Sequence, residues 1–125
     1  MIPQGLSPAD QELAEECERI HQDYDVIKVE QAGYATQIKP IKNRIFNNRP
    51  LAGDVDAIKA LIAKQIEALE RLKVKRREYI DKGCDRIEWT RAKYPTEAER
   101  RAHHEGAVAD LEKQIANQKD VLSKL

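Results

Sequence analysis

Apolar residues recur in this chain at alternating steps of four and three, a period that dictates helices with one buried seam each. A strand would place them every second residue. The first series runs through Leu13, Cys17, Ile20, Tyr24, Ile27, Gln31, Tyr34, Ile38, Ile41 and Ile45. The second runs through Val55, Ile58, Ile62, Gln65, Leu69, Leu72, Arg76, Tyr79 and Gly83, with Leu61, Ile66, Ile80 and Ile87 widening it. The third runs through His104, Val108, Leu111, Ile115, Gln118, Leu122 and Leu125.

The composition suits narrow seams rather than a broad core. Charged residues make up 35% of the 125-residue chain and aromatics only 5%. That leaves few large side chains for a compact globule and many charges to cover helix faces. Glycine and proline gather near Met1–Pro8, Gly33–Pro40, Pro50–Gly53 and Tyr94–Pro95. The stretches between are rich in Ala, Glu, Lys, Arg, Gln and Leu, all strong helix formers. The expected fold is all-α: an elongated, coiled-coil-like antiparallel helical hairpin with a third, kinked or broken N-terminal helical arm.

Helix signals set the boundaries. Residues 1–6 form a tail. Ser7 suits an N-cap, Pro8 the first helical position, and Asp10 and Glu12 the positive end of the helix dipole. The arm then covers 7–46 and is interrupted near 33–40. Gly33 weakens a helix interior, and Pro40 removes a hydrogen bond and disfavours the helical conformation at Lys39. Ile41 and Ile45 stay in phase, so the chain either kinks or restarts at Pro40, and a restart is preferred. A rival reading pairs Tyr24–Val29 with Tyr34–Ile38 as a β-hairpin through Gln31-Ala32-Gly33, because the first segment is rich in β-branched residues.

Residues 47–53 form a loop of turn formers, after which Asp54 caps a second helix. That helix is expected to run to Lys93, about 58 Å at 1.5 Å per residue. Tyr94-Pro95 stops it, and Thr96-Glu97-Ala98-Glu99 matches a capping box that starts a third helix. Residues 54–125 therefore read as one antiparallel hairpin. Its longer second helix would project at one end.

Sites for chemistry are sparse. Glu18 and His21 have the Glu-x-x-His spacing of di-iron bundles, yet such sites need a second copy that the chain lacks. His103 and His104 point about 100° apart on a helix, which is poor geometry for one ion. His104 falls on the seam, and His103 is placed to pair with Glu99. Cys17 and Cys84 lack CxxC spacing and read as reduced thiols of a cytosolic chain. Nucleophile-elbow, phosphate-loop, dinucleotide and HExxH motifs are all missing. The expectation is no enzyme activity, no catalytic residues, no metal, no cofactor and no small-molecule substrate.

Charge is more informative. Lys plus Arg and Asp plus Glu both number 22, which argues against a general nucleic-acid or membrane-surface binder. Residues 10–30 carry a local −6, while Lys39, Lys42, Arg44 and Arg49 form a +4 stretch. Arg71, Lys73, Lys75, Arg76 and Arg77 form a +5 stretch. In one reading the acidic arm lies against the basic part of the second helix. In the other, the two basic stretches together contact phosphate or an acidic partner. Trp89, with Tyr79 and Tyr94, reads as either a core plug or a partner interface on the projecting helix end.

Taken together, the sequence points to a non-catalytic helical interaction subunit. It would self-associate, or dock into a larger assembly such as a virion or adaptor complex. The alternative is a helical subunit of a nucleoprotein complex. No secretion signal or membrane span is read, so the expected setting is the cytoplasm or an intracellularly assembled particle.

Overall fold

The computed structural model describes residues 7–87 and 94–125. Its elements, in chain order, are α1 (Pro8–Phe46), α2 (Asp54–Asp81), a short 3₁₀ turn (Cys84–Arg86) and α3 (Glu97–Ser123). The fold is all-helical, and no strand occurs among the described residues. Residues 24–38 lie within α1, which removes the β-hairpin reading.

Each start has a local cause. Ser7 caps α1 by accepting from the Asp10 amide at 3.2 Å, with Pro8 in the first turn. Thr96 caps α3 by accepting from the Glu99 amide at 3.1 Å, as the capping-box motif requires. At α2 the cap differs from expectation. Gly53 occupies the N-cap in a left-handed conformation (φ 83°), and Asp54 is the first helical residue. The Asp54 carboxylate turns back to the loop. It accepts from the Leu51 amide at 2.7 Å and from Arg44 Nε and Nη2 at 2.8 and 2.7 Å. This clamp joins the end of α1 to the start of α2. Its hydrogen bonds hold the Asp54 pKa down at about 2, with Arg44 the largest cause and the Leu51 amide next.

Two expected boundaries are corrected. α1 is one 39-residue helix that carries Pro40 inside it, not an arm that restarts there. A proline inside a helix costs about 3 kcal/mol. Just before it Ile38 is buried, and beyond it the half-buried Ile41 and Ile45 pack on the Ile58–Ile62 cluster. Burying each such side chain is worth roughly 1.5–3 kcal/mol, so the seam outweighs the proline.

The second correction concerns α2, which ends at Asp81 rather than Lys93. Gly83 turns the chain at φ 77°, and a Cβ there would lie 2.9 Å from Arg86 Nε. What reads as a seam residue in the heptad pattern is a helix stop, the commonest use of a left-handed glycine. At 28 and 27 residues, α2 and α3 nearly match, so the longer second helix that was expected to project is not found.

Side-chain pairs fix the directions. Glu16–Lys82, Asp23–Lys75, Glu30–Arg71 and Arg44–Asp54 run in opposite sequence order, so α1 and α2 are antiparallel. Gln65–Gln118 and Arg76–His104 do the same for α2 and α3. The middle helix carries the contacts. Among the described residues, no Cα of α1 comes within 8 Å of one of α3.

Cys17 and Cys84 form a disulfide across 67 residues, which corrects the expectation of two reduced thiols. Their pairing also removes the argument that cysteine usage made for a cytosolic setting. Both cysteines are buried, in a cluster with Ala14 and Ile87. The spacing of two cysteines in sequence carries no information on their distance in space. The α1–α2 register brings them together, with Cα atoms 5.8 Å apart.

The interior is layered along the bundle axis. Ile38, Ile58 and Ile62 fill the loop end, and Ile27, Leu69, Leu72, Leu111 and Ile115 fill the middle. Between them sits a glutamine layer, one residue from each helix. Gln65 Nε2 donates to Gln31 Oε1 at 2.8 Å, and Gln65 Oε1 accepts from Gln118 Nε2. Between the middle cluster and the disulfide lies a second polar layer, centred on Arg76.

Candidate functional site

Arg76 occupies a seam position of α2, where an apolar residue would normally sit. Its neighbours in the same layer are also seam residues: Tyr24 on α1 and His104 on α3. Arg76 Nη1 donates to His104 Nδ1 at 2.8 Å, and Nη2 donates to the Tyr24 hydroxyl at 3.2 Å. A guanidinium has no acceptor, so His104 must present the Nδ1 lone pair and carry its proton on Nε2. The guanidinium carbon also lies 4.5 Å from the Tyr24 ring centroid, close enough for a cation–π contact.

Neither partner of Arg76 is charged. Its Nε is buried without a hydrogen-bond acceptor. Arg100 makes a useful contrast, since it is 5% exposed and also lacks a carboxylate partner. Its Nε donates to the Asp85 carbonyl at 2.6 Å, and Nη1 reaches the carbonyls of Tyr94 and Pro95 at 3.2 and 3.3 Å. Arg100 is thus an internal strut that ties Asp85, Tyr94 and Pro95 to α3. Arg76 is less completely served.

A cavity of about 290 Å³ opens beside Arg76. α1 contributes Ile20, His21 and Tyr24 to its wall. From α2 come Lys75, Arg76 and Tyr79, and from the α3 side Tyr94, His103 and His104. No carboxylate is among these described lining residues. Rings dominate the wall: His103 stacks on Tyr94 at 4.5 Å, and Tyr79 tilts against His104 at 4.9 Å. The cavity exists because α1 and α3 stand apart here, each leaning on α2.

The expected site residues fall in different places. Tyr79 and Tyr94 both line this cavity. Trp89 lies outside the described residues. The acidic face of α1 meets the basic stretch of α2, through Glu30–Arg71, Asp23–Lys75 at 3.3 Å and Glu16–Lys82 at 2.7 Å. Lys73 pairs with Glu70 one turn earlier. Arg44 is held by Asp54. Lys39, Lys42, Arg49 and Arg77 have no ion-pair partner among the described residues. Arg44 and Arg71, one from each basic stretch, stand far apart. Asp54, which holds Arg44, is 17 residues from Arg71 on α2, or about 26 Å.

The histidines settle as follows. His21 pairs with Asp25, at 3.4 Å, one turn onward rather than with Glu18. His104 is buried in the seam, as its phase predicts. Among the described residues, no three His, Cys, Asp or Glu side chains gather where they could hold a metal ion. No described helix is long and apolar enough to cross a membrane.

Sequence reasoning passed over Tyr24 and Arg76 as a pair. Both stand on the apolar series, so each was visible as a polar or aromatic interruption of a seam. What was missing was the register that sets them at one level. No family model, curated protein or solved structure matches the chain.

Proposed function

We propose that the chain is a non-catalytic helical interaction subunit that self-associates through the outer face of α1 and α2. One observation carries this reading. Val26, Val29 and Val74 are 71%, 74% and 61% exposed, although branched apolar residues favour burial. Val26 lies between Asp23 and Glu30 on α1, and Val74 lies between Arg71 and Lys75 on α2. The valines therefore sit at the level of the two inter-helix ion pairs, and Val74 lines, with Ile27, a shallow depression walled by Glu67, Glu70, Arg71 and Lys75. An apolar centre within a charged rim is the usual anatomy of an interface.

Charge complementarity favours a second copy as the occupant. This face carries acid on α1 and base on α2. A two-fold axis through it would set the acidic α1 of one protomer over the basic α2 of the other, extending the Asp23–Lys75 and Glu30–Arg71 pairs into networks across the interface. The phosphate-contact alternative has less support, because carboxylates hold Arg71, Lys73 and Lys75.

Light scattering of the purified chain over a concentration series tests the proposal. The expected result is a dimer or larger species at high concentration, shifted to monomer by Val26→Lys with Val74→Lys. A monomer at every concentration would overturn it.

A further inference from the structure

We propose that the cavity beside Arg76 binds a small aromatic anion, with Arg76 taking its carboxylate and the surrounding rings its aromatic body. The sequence reading anticipated no small-molecule ligand. The proposal stands on the geometry of the cavity and is independent of the self-association face.

The charge argument comes first. A half-buried guanidinium is expensive unless a carboxylate or a full set of acceptors serves it. Arg76 has five N–H groups, and the structure supplies acceptors to two of them, both neutral. Contact with the Tyr24 ring offsets part of the cost. Lys75, the other cation of the wall, is already paired with Asp23 and Glu78. The cavity therefore holds one cation without an anion among the described residues, and a monoanion would complete it. A neutral apolar side chain at position 76 would pack this seam more simply, so packing alone does not account for the arginine.

Shape and lining narrow the ligand. About 290 Å³ lies at the small end of ligand pockets, which span roughly 300–1,000 Å³, and suits one ring with its substituents. Tyr24, Tyr79 and His104 line this space, and aromatic pairs favour centroid separations of about 4.5–7 Å. Inorganic anions would use Arg76 but leave the rings without contact. Carboxylates on a single aromatic ring use both.

The test is titration of the full chain with benzoate, followed by two-dimensional NMR. Acetate serves as the anion without a ring, and benzyl alcohol as the ring without a charge. The expected result is saturable binding of benzoate below about 10 mM. Acetate and benzyl alcohol should each bind at least tenfold more weakly. Shifts should centre on Tyr24, Tyr79 and His104. Arg76→Met should weaken benzoate at least tenfold, and Arg76→Lys, which keeps the charge, should weaken it less. No saturable benzoate binding to the wild-type chain would overturn the proposal. So would equal affinity for either control, or shifts that centre elsewhere. The last two readouts need no variant and stand even if a substitution at position 76 unfolds the protein.

Discussion

The bundle contains two polar layers on the same seam, centred on Gln65 and Arg76, about 16 Å apart along α2. Each draws one residue from every helix, yet they are satisfied to different degrees. In the glutamine layer, both ends of the Gln65 amide are used within the protein. In the arginine layer, a charged group meets two neutral partners, and Arg76 Nε has none. Among the described residues, Asp85 Oδ1 is also buried without a partner, and it lies at the same end of the molecule. A closed layer fixes the register of three helices, because any slip would bury unpaired amides. An open layer does that poorly, but it leaves room and charge for something else. The disulfide lies just beyond the arginine layer and holds α1 to the end of α2 where the side chains do so least completely.

The disulfide end should respond most strongly to mutation. Cys17→Ala with Cys84→Ala frees a 67-residue loop, and chain entropy puts the loss at about 4 kcal/mol. Urea unfolding should show that loss. Hydrogen exchange of the variant should lose protection around Arg76 and Tyr79 before Gln65. Uniform loss along α2 would mean that the two layers do not differ in local stability.

Next in size is Gln65→Ala, which leaves the Gln31 and Gln118 side chains without their partner. It should cost about 1–3 kcal/mol in the same unfolding assay. A neutral result would show that the glutamine layer is hydrated rather than closed.

Arg76→Met sharpens the contrast, because it removes a charge with no carboxylate to orphan. The expected change is a loss of only about 1 kcal/mol, because the relieved desolvation of the guanidinium offsets most of the cost of leaving His104 Nδ1 and the Tyr24 hydroxyl without their donor. A loss beyond about 2 kcal/mol would mark Arg76 as a strut like Arg100 and weaken the binding proposal.

The last prediction leaves both layers untouched and addresses the loop end. The pKa of Asp54 is depressed in the folded state, from 3.8 to about 2. Its contribution is thus complete above the unfolded value and is lost as pH falls through the folded value. Stability should decline between about pH 4 and pH 2, with part of that slope due to the Arg44–Asp54 clamp. Asp54→Asn should flatten that part of the slope while the disulfide end keeps its exchange protection. An unchanged acid profile in the variant would show that the clamp does not contribute to it.

Much of the fold was legible in the residues themselves. The seam positions Ile58, Ile62, Leu69, Leu72, Val108, Leu111 and Ile115 are all buried, because a helix converts sequence spacing directly into a face. Ser7 and Thr96 cap as read, since a cap is a contact between residues three apart. Local competition was harder to judge. Pro40 failed to break α1 and Gly83 ended α2 early, because packing outweighed one breaker and the left-handed conformation suited the other.

What the sequence by itself determined is therefore the all-helical character, the three seams and the starts of α1 and α3, all set by interactions a few residues long. The tertiary structure alone decided the register. Register joins Cys17 to Cys84, places Tyr24 and His104 on Arg76, and lays the acidic face of α1 along the basic stretch of α2. These pairs are separated by 28 to 67 residues, where spacing carries no distance information. Only the packing of one seam against another, with its buried amides matched, selects the alignment that opens the cavity.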